Sequence, residues 1–167
     1  NISLAGIRRP FSGKFDSNGI ASVSIKRVGD APLTLQLEAE PCNRDHLTGT
    51  LVDGDQAAPL LADRVVFNSR ANPTPFAGNY TLAIFGLLEG PALPGGIGYA
   101  AARVLPNGSV RVMGALGDGK NFVQSTYLSK DGYWPFYAQP YRRPGGSISG
   151  WLIFDQAESG LHGDLAW

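Results

Sequence analysis

The sequence has a single cysteine, Cys42, so it can hold neither an internal disulfide nor a four-cysteine zinc site. Charge is scarce and balanced: 17% of residues are charged, with 14 Lys+Arg against 14 Asp+Glu and a net charge of zero. That balance argues against nucleic acid as a partner, because neutralising phosphates normally takes a basic face. No apolar run approaches the ~18 residues of a membrane helix, so membrane insertion is not expected. No stretch keeps a helical period. Gln56 to Arg64 comes nearest, but it carries Pro59 and runs on as the alternating Leu61, Asp63, Val65 and Phe67. Asn1 opens the sequence without Met or a basic-then-apolar leader, as a mature protein or a piece of a longer chain would.

What is abundant is glycine (22) and proline (12) among 43% apolar residues, the composition of a turn-rich β protein. Alternation with period two dominates. Leu33, Leu35, Leu37 and Ala39 share one face of a strand, and Thr34, Gln36, Glu38 and Glu40 the other. Ala21, Val23 and Ile25, and then Val110 and Val112, repeat the pattern. Hairpin turns are expected at Asn18-Gly19, Asp53-Gly54, Asn107-Gly108, Asp118-Gly119 and Asp131-Gly132, where Asn or Asp tolerates positive φ and Gly adopts it freely. Strands are expected over 11–16, 20–28, 33–40, 46–52, 59–67, 76–85, 97–105, 109–117, 121–128, 147–154 and 160–166.

Two motifs recur at one offset of 65 residues. Phe11-Ser-Gly-Lys-Phe15 returns as Phe76-Ala-Gly-Asn-Tyr80, and Thr48-Gly-Thr-Leu-Val-Asp-Gly54 as Met113-Gly-Ala-Leu-Gly-Asp-Gly119. This reads as a tandem duplication within one all-β domain spanning 1–167, with halves of about 9–72 and 73–167 that meet at the polar stretch Asn68–Pro75. Each half, with open sheet edges, is expected to need the other. A second pattern, apolar-x-Gly-x-Leu, falls at Leu47–Leu51, Val112–Leu116, Ile148–Leu152 and Leu161–Leu165. Strand glycines favour sharp bends, so the expected architecture is an antiparallel meander closed into a barrel or barrel-like sheet with pseudo-twofold symmetry. A two-sheet β-sandwich is the alternative.

Candidate sites are few. Gly96-Ile-Gly98-Tyr-Ala-Ala101 matches a dinucleotide fingerprint, but Pro91, Pro94 and Pro106-Asn-Gly108 leave no helix to receive a pyrophosphate, and no cofactor is expected. The acidic turns Asp16-Ser-Asn-Gly19 and Asp53-Gly-Asp55 are explained by turn chemistry, and no metal site is expected. His46 and His162 stand beside strand glycines without ligand spacing or a nucleophile motif, and no catalytic residue is assigned. The densest feature is Tyr133-Trp-Pro-Phe-Tyr-Ala-Gln-Pro-Tyr141 followed by Arg142-Arg143. Its aromatics and cations suit stacking against sugar rings, so Tyr133, Trp134, Tyr137, Tyr141 and Arg142 are the candidate ligand-binding residues. Within that segment, Trp134 and Phe136 are expected on the core side and Tyr133 and Tyr137 on the exposed side.

The stretches Pro94-Gly-Gly-Ile-Gly-Tyr-Ala-Ala101, Gly108-Ser-Val-Arg-Val-Met-Gly-Ala-Leu-Gly-Asp-Gly119, Ser129-Lys-Asp-Gly-Tyr-Trp-Pro-Phe-Tyr137 and Gly146-Ser-Ile-Ser-Gly-Trp-Leu-Ile-Phe154 carry a resemblance. With the closing Leu161-His-Gly-Asp-Leu-Ala-Trp167, the chain resembles an uncharacterised family of bacterial repeat modules found in long secreted or surface proteins. The resemblance implies an extracellular or cell-surface location and a modular, interaction-type role; with the aromatic segment, the expected partner is a glycan or cell-surface component. It transfers no functional residue. The expectation is a non-enzymatic binding or structural module, and the alternative a small hydrolase or isomerase with a barrel-mouth site.

Overall fold

The computed structural model describes residues 2–4, 7–40, 45–86, 96–141, 146–155 and 160–166. All regular structure in it is β, and every pairing is antiparallel. The chain divides into two compact units, Asn1–Arg64 and Val65–Trp167, with the division ahead of the proline-bearing stretch Asn68–Pro75.

The first unit holds a short hairpin, β1 (Ile2–Leu4) and β2 (Ile7–Arg9), and a four-stranded meander. The meander runs in the order β3 (Ile20–Ile25), β4 (Leu33–Ala39), β5 (His46–Asp53) and β6 (Gln56–Asp63). The alternating apolar residues do what their period requires. Ala21, Val23, Ile25, Leu33, Leu35 and Leu37 are buried on one face, and Ile2, Leu4 and Phe11 pack against them. The strand expected over 11–16 is absent, and the chain from Phe11 to Asp16 carries no ladder. Arg27 clamps the β5–β6 turn, its guanidinium donating to both oxygens of Asp53 at 2.8 and 2.6 Å.

The second unit holds two sheets. One runs β10 (Asn121–Tyr127), β9 (Ser109–Ala115), β8 (Ile97–Val104) and β7 (Gly78–Phe85). The other runs β11 (Tyr133–Ala138), β12 (Ile148–Asp155) and β13 (Gly160–Ala166). Both contribute to one core, with Val104, Val110, Val112 and Phe122 from the first and Trp134, Phe136, Leu152 and Phe154 from the second. The expected closed barrel is not formed. The arrangement is sandwich-like, because β7 and β13 remain sheet edges that no strand among the described residues pairs.

The glycines behind the barrel expectation serve another purpose. A Cβ on Gly49, Gly114, Gly150 or Gly163 would collide with a carbonyl oxygen of the neighbouring strand, those of Gln36, Tyr99, Asp164 and Trp151 respectively. The missing side chain lets two backbones come close, which bends a sheet locally without closing it.

Four turns share one construction. Asp16–Ile20, Leu105–Ser109, Leu116–Lys120 and Ser129–Tyr133 each close with the first residue's N–H donating to the fifth residue's carbonyl. In each, the glycine at position four donates back to the first carbonyl. Those glycines, Gly19, Gly108, Gly119 and Gly132, have φ between 77° and 83°. This is a type I turn followed by a left-handed glycine, and it fits the Asn/Asp-Gly signal. The turn at Gly54-Asp55 is shorter, since Asp53 pairs directly with Gln56.

Proline marks the edges. Pro59 lies in β6 and Pro135 in β11, both outermost strands, where a missing N–H interrupts no shared ladder. Each of the two units has a buried core of its own. Residues 65–167 expressed alone are expected to melt in one cooperative transition by circular dichroism, and a chain without such a transition would contradict it.

Candidate functional site

The outer face of the β11–β12–β13 sheet is built by strand parity. Trp134, Phe136, Leu152 and Phe154 point inward and are buried, so Tyr133, Pro135, Tyr137, Trp151 and Ile153 point out. The register sets these in rows: Tyr133 beside Ile153 beside His162, and Pro135 beside Trp151 beside Asp164. Tyr133 is 43% exposed and Trp151 42%. Their rings meet edge to face, centroids 6.4 Å apart at 86°, and form an aromatic corner. His162 and Asp164 are exposed one strand away and bring polar groups to its border.

The inward side is fixed. Trp134 is wholly buried and stacks on Phe154 at 6.1 Å, with Phe136 at 5.6 Å. Its indole N–H donates to Gln124 Oε1 at 3.0 Å, and Gln124 Nε2 donates to the Pro135 carbonyl at 2.8 Å. One glutamine therefore joins β10 to β11 and holds the aromatic strand in register. Trp134 is core and leaves the candidate surface, as its buried position requires. Tyr137 stays on the outer face and is half-buried. Tyr141 lies apart from the corner and donates its hydroxyl to Asp118 Oδ2 at 2.6 Å, which holds the Asp118 carboxyl below its ordinary range. Arg142, with Arg143, Cys42 and Trp167, lies outside the described residues.

Trp151 was missed in the sequence. The signal lies in parity, because Leu152 and Phe154 share a face that Trp151 does not.

A cavity of about 640 Å³ opens between the two edge strands β7 and β13. Leu82, Ile84, Ile148, Leu152, Leu161 and Leu165 make its lining apolar. His162 and Asp164 border it, but their parity on β13, opposite Ile153 and Trp151, directs them to the outer face. Among the described residues the strands do not close into a barrel. Ile97 to Ala101 of the dinucleotide fingerprint lie within β8, which runs into the Leu105–Ser109 turn, so no helix follows it. Among the described residues no group of three metal-ligating side chains gathers, and no helix is long and apolar enough to cross a membrane.

Elsewhere, His46 and Asp63 face each other directly across β5 and β6, with Nδ1 2.7 Å from Oδ1. In chemical terms the described residues therefore offer an aromatic corner with polar neighbours, an apolar cleft and one oriented imidazole. No family model, no curated protein and no solved structure matches the chain.

Proposed function

We propose that the chain is a non-enzymatic extracellular binding module that takes carbohydrate on the outer face of the β11–β12–β13 sheet. The observation that carries this reading is the exposed Tyr133–Trp151 corner. The C–H face of a sugar ring stacks on one aromatic plane, while the second ring bounds it edge-on and the polar groups beside it bond hydroxyls. Side chains already held by a sheet lose little conformational entropy on binding. The extracellular setting rests on the resemblance to bacterial surface repeat modules.

The test is a glycan array probed with the whole chain and with Tyr133→Ala. The wild-type chain is expected to retain a subset of glycans, and Tyr133→Ala to lose them with at least about tenfold weaker binding. A blank array, or retention indifferent to Tyr133, counts against the carbohydrate reading.

A second reading, a small hydrolase or isomerase, draws on the His46–Asp63 pair alone. A carboxylate on Nδ1 orients an imidazole for proton transfer through Nε2. Ester or glycoside turnover that disappears in His46→Ala would favour it.

A further inference from the structure

We infer that the outer face of the β10–β9–β8–β7 sheet is a self-association surface, on which a second copy of the chain packs face to face. This face is unusually apolar for one turned to water. Phe85 is 70% exposed, Ile97 64%, Tyr99 67%, Met113 51% and Val123 61%. The register makes them one patch. Phe85 lies beside Ile97, Tyr99 beside Ala83 and Ala115, and Met113 between Ala101 and Val123. At these exposures the five side chains present roughly 600 Å² of apolar surface, the upper end of what a monomer shows. A stable interface takes about 800 Å² from each partner, and this patch with its polar border supplies that.

The border also shows which partner fits. One row along, Arg103 and Arg111 stand directly opposite each other on the same face, and both are exposed. Like charges in that position cost stability, and among the described residues neither arginine has an ion pair or hydrogen bond. At the other end of the patch, the Leu116–Lys120 turn carries the exposed carboxylate of Asp118. A two-fold axis lying in the interface plane and perpendicular to β8 and β9 exchanges these ends. Each copy's arginines then lie over the other's Asp118 turn, twice by symmetry, while the apolar rows cover one another. With a net charge of zero, two copies meet without long-range repulsion. A lipid surface fits less well, because at the turn end of the face Lys120 stands beside Asp118 and only the arginine end is net cationic.

Sedimentation velocity of the whole chain over about 1–200 µM tests this, the range in which a standard-sized interface without dominant hot spots associates. The expected result is a mass rising with concentration towards twice the 17.7 kDa of one chain. Val123→Glu and Met113→Lys, both at exposed positions, are expected to keep the wild-type melting profile and sediment as monomers. Arg103→Ala is expected to weaken the dimer about fivefold and flatten its salt dependence. A wild-type chain that stays monomeric throughout overturns the inference. So does a dimer that persists in both Val123→Glu and Met113→Lys, or a monomer that instead binds vesicles containing phosphatidylserine.

Discussion

Trp134→Ala is expected to lower the stability of the Val65–Trp167 unit by about 3–5 kcal/mol, the usual range for removing a large aromatic side chain from a packed core. The indole is fully buried among Phe136 and Phe154, so little can collapse into the space it leaves. The change also strips Gln124 of the donor to its Oε1, leaving a part-buried amide oxygen to find water. For a unit of this size the melting temperature should fall by more than about 10 °C. Thermal denaturation followed by circular dichroism measures it, and a fall of only one or two degrees would mean that the core is not arranged around Trp134.

Gly114→Ala is expected to be nearly as damaging, though it adds a single methyl group. The new Cβ would overlap the Tyr99 carbonyl oxygen and lie 2.6 Å from the Ala100 Cβ and 2.7 Å from its Cα. These are backbone or backbone-adjacent atoms that no rotamer change can move, so β8 and β9 must separate. Overpacking of this kind costs about 3 kcal/mol where the surroundings cannot yield. Gly119→Ala is the matched control. It has φ of 79° but nothing within 4 Å of the added atom, so the cost is only the roughly 1 kcal/mol of a left-handed alanine. Chemical denaturation of the two variants should rank Gly114→Ala well below Gly119→Ala. Equal midpoints would show that the strand glycines are not close-approach sites.

Much of the fold was legible because its signals are local. Alternation at Leu33, Leu35 and Leu37 and at Val110 and Val112 named the buried faces. Asn or Asp before Gly19, Gly108, Gly119 and Gly132 named four turns that form one geometry. Closure was not legible. A strand glycine reports that something approaches closely, but whether β7 pairs with β13 depends on strands separated by most of the second unit. The recurrence at offset 65 likewise matched letters rather than turns, since Asp53-Gly54 lies in a two-residue hairpin and Asp118-Gly119 in a five-residue one. Strand β11 is not among the expected strands, and an edge position accommodates its Pro135. The division of that segment into a buried Trp134 and Phe136 and an outer Tyr133 and Tyr137 follows from parity alone, and the structure has it. Trp151 completes the candidate site from the neighbouring strand, a contact set by register and invisible to any single stretch of sequence.

The most direct test of the binding account separates recognition from packing at that residue. Trp151→Ala is to be compared with wild type for both thermal unfolding and titration against a glycan retained on the array. The account predicts a melting temperature within about 3 °C of wild type, because a side chain 42% exposed contributes only part of its burial energy, together with at least tenfold weaker binding. Unchanged glycan affinity, or a stability loss as large as that of Trp134→Ala, would contradict it.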